Sequence, residues 1–178
     1  MNKLIKKTLL RAGALTMMVA TGVASAAPLS GTIYTANERD TSISKIALAT
    51  GLVSTFKTSI VPHDVQMTPD VAFLLAVGMA AEDHGKESKH DTHKMQSDDE
   101  GKLSILDVRN LDKPAVTLPA GKHPAHVVTD RDGQRAFVTS AEEKATTVLD
   151  LARHAVIGKI VTGASPHRLR PSPDGREL

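Results

Sequence analysis

Short apolar runs separated by turn residues dominate the chain after about residue 30. The clearest example is the run Ala125–Thr129, which a turn at Asp130–Gly133 joins to a second run at Arg135–Thr139. A polar loop, Glu142–Lys144, leads into a third run at Thr146–Leu151. Runs of roughly four to eight β-branched and apolar residues bounded by such turns are typical of antiparallel strands. The pattern therefore predicts an all-β fold.

The N-terminal half continues this pattern and predicts four more strands: Ser30–Ala36, Ser42–Leu48, Leu52–Phe56 and Val71–Val77. The last of them reads VAFLLAV. A nearly continuous apolar run of this kind is typical of a strand that packs on both faces, rather than one with a solvent face.

One unit of the chain recurs three times. Each copy begins with a proline that an aspartate follows eight positions later, in the pairs Pro62–Asp70, Pro124–Asp132 and Pro166–Asp174. The second and third copies start 42 residues apart, and the first and second start 62 residues apart. The excess of 20 residues corresponds to one polar insert, Glu82–Gly101. A period of about 42 residues matches one four-stranded propeller blade, so the chain is predicted to form roughly three blades of a β-propeller.

The third copy is incomplete, because the chain stops within the turn Pro173–Leu178 that follows its first predicted strand. Propellers typically close with about four to eight blades. We therefore expect residues 27–178 to form a partial propeller that is incomplete at its C-terminal end, as in a fragment of a longer protein. Assembly of several copies into one ring is the alternative.

Four phrases of the repeat resemble the YVTN repeat family of secreted or periplasmic β-propellers of the YncE type: Tyr34–Asn37, Ser104–Val108, Thr147–Leu151 and Ser172–Gly175. These propellers are similar in shape to the haem d1 domain of cytochrome cd1 nitrite reductase. The resemblance covers most of the chain after about residue 30, outside the insert. It implies a fold rather than a function, because propellers host many unrelated activities. The first copy departs from the pattern, with Ala47 in the place of Asp107 and Asp150, and Val71 in the place of the turn glycine.

The first 26 residues have the three parts of a secretory signal. Four basic residues precede the apolar segment Ala12–Val23, and Ala24–Ala26 provides small residues for cleavage. The segment of 12 residues is short for a bilayer span, although an uncleaved N-terminal anchor is the alternative. The signal predicts a periplasmic or secreted protein with no membrane anchor after cleavage. Without residues 1–26 the chain has 18 Lys and Arg against 20 Asp and Glu, so its basic pI belongs largely to the signal.

Composition argues against several function classes. The absence of cysteine excludes disulfides, thiol nucleophiles, a lipoprotein anchor and the CxxCH motif of covalent haem attachment. Aromatic residues make up 2% of the chain and the basic residues are dispersed, which argues against nucleic-acid binding. No phosphate-binding loop, nucleophile elbow or HExxH motif is present. Asp107 and Asp150 recur at one repeat position in different blades, so we interpret them as turn caps and predict a non-catalytic protein.

The insert Glu82–Gly101 carries a candidate metal site at His84, His90, Asp91 and His93. It has seven acidic and three basic residues and no branched aliphatic or aromatic side chain, so a disordered, mobile surface loop is expected. Imidazole and carboxylate ligands suit Zn²⁺, and imidazole with the thioether of Met95 suits copper. The alternative is a solvated low-complexity loop in which the histidines are incidental.

A second histidine set comes from the repeat itself. His63 and His167 directly follow the first residue of their copies, and His126 lies one position later in its own copy. The innermost strand of each blade lines the central channel, so these side chains are candidates for a metal, haem or anion site at the channel mouth. The alternative is a turn preference of the repeat. Because adjacent strand residues point to opposite faces, His126 is expected to face away from the other two.

These features predict an exported, non-catalytic β-propeller that binds Zn or Cu in the periplasm, or a periplasmic protein partner. Two other function classes stay open at this point. One is the propeller part of a haem-dependent redox enzyme, and the other is a protein-interaction scaffold without a metal.

Overall fold

A computed structural model describes residues 29–81, 100–113 and 116–177 of the chain. Its regular elements are eleven strands and one 3₁₀ turn at Glu38–Asp40. The strands are β1 (Thr32–Asn37), β2 (Ser42–Ala47), β3 (Leu52–Lys57), β4 (Ile60–Met67), β5 (Phe73–Ala80), β6 (Glu100–Asp107), β7 (Val116–Lys122), β8 (Pro124–Thr129), β9 (Arg135–Ser140), β10 (Ala145–Asp150) and β11 (Ala155–Val161). The predicted all-β fold is confirmed. Among the described residues, no helix is long and apolar enough to cross a membrane.

The strands form three antiparallel sheets in chain order, which we call the first, second and third blade. The first blade is β1–β2–β3, the second is β4–β5–β6–β7 and the third is β8–β9–β10–β11. Each strand pairs with its neighbour in sequence, as in the blades of a propeller. The predicted period of one four-stranded sheet for each repeat is therefore confirmed for the units that begin at Pro62 and Pro124.

The apolar core lies between the blades. Leu74 and Ala76 of β5 pack toward the first blade in one cluster with Ile43. The next residues on the strand, Leu75 and Val77, belong to a second cluster that includes residues of the third blade. Strand β5 is thus buried on both faces, as the continuous apolar run predicted, because the second blade lies between the other two.

The insert lies between β5 and β6, which are the second and third strands of the second blade. Strand β6 begins at Glu100, so the last two residues assigned to the insert belong to a strand. The last residue of β5, Ala80, and the first residue of β6, Glu100, lie at the end of the sheet where β4 begins, because Ile60 pairs with Ala80. Residues 82–99 and the predicted signal at 1–26 lie outside the described residues.

The third repeat copy differs from expectation, because residues 163–177 form no strand. In the earlier copies the first strand pairs with the strand that follows it in sequence, as β4 pairs with β5 and β8 with β9. The described residues contain no such follower for Pro166–Leu169. Only the turn of the copy is formed, where the Gly175 N–H bonds to the Ser172 carbonyl at 2.9 Å.

Val71 occupies a turn position that the other two copies give to glycine. Its φ is +59°, close to +67° at Gly133 and +69° at Gly175. The left-handed conformation costs an L-residue roughly 1–2 kcal/mol and costs glycine almost nothing. Val71 is 61% exposed, so its side chain contributes little burial in return.

We expect Val71→Gly to raise the free energy of unfolding by up to about 1 kcal/mol, after the larger unfolded-state entropy of glycine is subtracted. Urea denaturation of the purified chain measures this change. The matched control is Gly133→Val, which should destabilise the protein because a Cβ at Gly133 lies 3.0 Å from Pro69 Cδ and φ is again positive. A Val71→Gly variant with a lower denaturation midpoint would contradict the expectation.

Candidate functional site

Three imidazoles from successive repeat units lie close together at the end of the sheets where strands β4 and β8 begin. His63 belongs to β4, His126 to β8 and His167 to the extended segment after β11. The ring centres are 4.9 Å apart for His126 and His167, 6.0 Å for His63 and His167, and 6.2 Å for His63 and His126. All three pairs are edge-on. We call these three side chains the histidine cluster.

Two β-bulges explain why His126 belongs to this cluster. The expectation that it faces away was wrong, because strict alternation does not hold at the start of these strands. In β8 the register with β9 shifts between Pro124 and Val127, and in β4 the register with β5 shifts between Pro62 and Asp64. A bulge adds a residue on one strand and re-aims its side chains. His126 lies one position later in its repeat unit than His63 and His167 do in theirs. The bulge in β8 offsets this difference and turns the His126 side chain toward the cluster.

Backbone contacts around one threonine connect two members of the cluster. The Oγ1 atom of Thr139 accepts the His126 N–H at 3.1 Å and donates to the His167 carbonyl at 2.7 Å. Thr139 is buried, with 1% of its surface exposed. This side chain therefore fixes the extended segment that carries His167 against the start of the third blade.

Two carboxylates approach the cluster from the preceding blade. Asp64 Oδ2 of the second blade lies 3.2 Å from His126 Nδ1 in the third blade. Glu38 Oε1 of the first blade lies 3.6 Å from His63 Nδ1 in the second blade. The pair with Asp64 is the more shielded, because the side chains of His126 and Asp64 are 17% and 26% exposed, against 41% and 63% for His63 and Glu38.

A cavity of about 170 Å³ lies beside the cluster. Its lining includes His63, His123, His167, Glu38, Gly78 and Met79. His123 is largely exposed, and its Nδ1 atom lies 3.8 Å from Glu142 Oε1. Met79 is the second-last residue of β5 and lines this cavity, so β5 ends beside the cavity on the side where the chain continues into the insert.

Across the parts of the chain that the structure describes, no group of three or more His, Asp or Glu side chains is arranged to hold a metal ion. The three imidazoles of the cluster would therefore have to rearrange in order to share one ion. The other candidate ligands, His84, His90, Asp91 and His93, lie outside the described residues. The structure therefore brings together one of the two predicted histidine sets.

Asp107 and Asp150 each hold the turn that follows their strand. Asp107 Oδ1 accepts the Arg109 N–H at 2.9 Å, and Asp150 Oδ1 accepts the Arg153 N–H at 2.8 Å. Hydrogen bonds from the Arg109 side chain and backbone lower the pKa of Asp107 to about 2. The Arg153 backbone N–H is the main cause of the lowered pKa of Asp150. These contacts agree with the interpretation of both aspartates as turn caps.

Sequence comparison of the repeats missed Asp64 and Glu38. Asp64 directly follows the repeat histidine of the first copy, but the other copies have Val127 and Arg168 at the corresponding step after their histidines. Glu38 belongs to the turn between β1 and β2, which precedes the first repeat copy at Pro62. A search for acidic residues next to each candidate histidine would have found Asp64.

Comparison with known proteins supports the fold. No family model matches the chain, and no curated protein matches it. Similar solved structures include a provisional 6-phosphogluconolactonase from Bacteroides fragilis, with a TM-score of 0.53 and 16% identity over 74% of this chain and 36% of that one. Another is the dihydro-heme d1 dehydrogenase NirN in complex with DHE, with a TM-score of 0.52 and 14% identity over 76% of this chain and 25% of that one.

The WD40 repeats of RRP9 are similar to the same extent, with a TM-score of 0.52 and 13% identity over 73% of this chain and 35% of that one. The chain thus spans between 25% and 36% of the length of these three proteins. At such identities the likeness concerns the fold alone. It agrees with a partial β-propeller, and the YVTN resemblance stays a prediction.

Proposed function

We propose that the chain is an exported, non-catalytic β-propeller that binds a divalent transition metal, Zn²⁺ or Cu²⁺, at the histidine cluster. The observation that carries the proposal is the convergence of three imidazoles from three repeat units within 4.9–6.2 Å of one another. Their positions in the sequence are 63, 126 and 167, so only the repeat architecture brings them together. Neutral imidazole is a preferred ligand of both metals.

The spacing of the rings supports a single shared ion. A Zn–N bond of about 2.0–2.1 Å places each ring centre about 3 Å from the metal, so rings in a tetrahedral arrangement have centres about 5 Å apart. The His126–His167 distance of 4.9 Å already meets this condition. His63, at 6.0 and 6.2 Å from the other two, needs to move by about 1 Å. Its exposed side chain has the freedom to do so.

The insert gives the proposal its second part, in which His84, His90, Asp91 and His93 capture the ion before it reaches the cluster. The insert follows β5 in the chain, and Met79, the second-last residue of β5, lines the cavity beside the cluster. Its acidic residues would raise the local concentration of cations. Since the composition of the insert predicts disorder, closing it on a metal would cost entropy, and we expect its affinity to be lower than that of the cluster.

A small ion fits the site better than a haem. Pockets for organic ligands of drug size typically have volumes of about 300–1,000 Å³, whereas the cavity beside the cluster has about 170 Å³. The imidazole pairs are also edge-on at 4.9–6.2 Å, which leaves no planar space between them. The proposal also includes membership in the YVTN family and export to the periplasm. These two parts rest on the repeat phrases and on the signal-like segment 1–26 of the sequence.

Calorimetric titration with Zn²⁺ and Cu²⁺ tests this function, with the purified chain beside a variant that lacks residues 82–99. We expect one site of micromolar or tighter affinity in both proteins, and a weaker additional site that only the complete chain has. Loss of all binding in the variant would assign the metal to the insert alone. Absence of binding in both proteins would overturn the proposal and favour a protein-interaction scaffold, and a Soret band in the protein as isolated would favour the haem alternative.

A further inference from the structure

The carboxylate of Asp64 bridges two blades directly behind the histidine cluster. Asp64 belongs to β4 of the second blade, and both of its contacts lie in β8 of the third blade. Its Oδ2 atom accepts the Val127 N–H at 3.1 Å and lies 3.2 Å from His126 Nδ1. One oxygen atom thus accepts the backbone N–H of Val127 and lies beside the imidazole of the preceding residue.

The approach of this carboxylate favours one of the two tautomers of His126. An ionised carboxylate only accepts hydrogen bonds, so its Oδ2 atom at 3.2 Å favours hydrogen on the Nδ1 atom of His126. In the neutral ring the Nε2 atom then has the free lone pair. The same backbone segment is held by Thr139, whose Oγ1 atom accepts the His126 N–H at 3.1 Å. The backbone of His126 is therefore held by Thr139, while its imidazole lies against the Asp64 carboxylate.

We infer that Asp64 is a positioning residue for the histidine cluster, and that it presents His126 Nε2 as a metal ligand. The inference rests on the proposed function for its consequence in metal binding, although the tautomer itself does not depend on metal. Partners of this kind orient metal-binding histidines, raise their basicity and typically change metal affinity by about 10–100-fold when they are removed. Glu38 is the weaker partner of the two, since its distance to His63 Nδ1 is 3.6 Å and both side chains are exposed.

Nitrogen NMR of the metal-free chain tests the tautomer directly, at about pH 8.5, where imidazoles are neutral. We expect His126 to show hydrogen on Nδ1 in the wild-type protein and in Asp64→Asn, whose amide oxygen can still accept. In Asp64→Ala the spectrum should shift toward hydrogen on Nε2. A wild-type His126 with hydrogen on Nε2, or an Asp64→Ala spectrum without change, would overturn the inference whether or not the protein binds metal.

Zinc titration of the same proteins tests the consequence. We expect Asp64→Ala to weaken the affinity about 100-fold and Asp64→Asn about tenfold. Glu142→Ala, which removes the carboxylate facing His123 outside the cluster, should leave the affinity unchanged. If Asp64→Ala fails to fold, the wild-type tautomer and the Asp64→Asn affinity decide, and an unchanged affinity in Asp64→Asn overturns the inference. A wild-type chain that binds no zinc contradicts the proposed function, while the tautomer result still decides the role of Asp64.

Discussion

Replacing Gly78 by alanine is expected to lower the free energy of unfolding by at least about 3 kcal/mol, above the range typical of added methyl groups in a packed interior. A Cβ at this position would lie 1.8 Å from the Val61 carbonyl oxygen and 2.8 Å from the Val61 carbonyl carbon. Both atoms belong to the backbone of β4, so no side-chain rotation relieves the clash. The paired strands β4 and β5 would have to separate at the residue pair Pro62 and Gly78.

Urea denaturation followed by circular dichroism measures this effect. Gly163→Ala is the matched control, because a Cβ there meets no atom within 4 Å and the residue does not require a positive φ. Its stability should stay within about 0.5 kcal/mol of the wild type. A Gly78→Ala protein within about 1 kcal/mol of the wild type would show that β4 and β5 do not approach each other as closely as described.

The same change should disturb the histidine cluster. Gly78 pairs with Pro62 immediately before the register shift that contains His63, and it also lines the cavity beside the cluster. Any side chain at residue 78 therefore displaces the strand that positions one imidazole. Close backbone approach explains why glycine is needed here, in a strand interior where it otherwise weakens the sheet.

His126→Ala is expected to weaken Zn²⁺ binding by at least about 100-fold, since a direct ligand contributes more than the partner that orients it. Among the three imidazoles, His126 is the one with a shielded carboxylate partner, and its side chain is 17% exposed. It also provides the closest ring pair, with His167 at 4.9 Å. Its loss would leave two ligands with ring centres 6.0 Å apart.

Competition against a chromophoric chelator measures the affinity over this range. His154→Ala is the control, because His154 is an exposed turn residue that lies at the opposite end of the strands from the histidine cluster. We expect that variant to bind like the wild type. Equal binding by His126→Ala and the wild type would contradict a site at the cluster, and an equal loss in both variants would point to nonspecific imidazole binding.

Most strands could be predicted from the order of residues, because each needs only a short apolar or β-branched run between turns. The prediction Arg135–Thr139 agrees with β9 to one residue, and Leu52–Phe56 agrees with β3 to one residue. The strand at Val71–Val77 was placed two residues early, because the turn at Val71 uses an apolar residue where the other copies have glycine. Composition alone could not reveal that backbone requirement.

The histidine cluster could be predicted only in part. The repeat identified His63 and His167 as equivalent, and both side chains belong to the histidine cluster. The alternation of side chains along a strand assigned His126 to the opposite face. That assignment was wrong, because the alternation holds only for regular strands. The sequence did not predict Asp64, because its role depends on a contact with His126, which lies 62 positions away in another blade.

The order of residues is enough to specify the local structure of this protein: apolar runs give the strands, Asp and Gly give the turns, and a repeat of about 42 residues gives the blades. Strands and turns depend on neighbours within a few positions. Long-range packing, in contrast, sets which side chains meet at the end of the sheets, because β-bulges and blade packing fix those distances. The contact of Asp64 with His126 and the shared threonine of His126 and His167 exist because three separate units place their inner segments side by side.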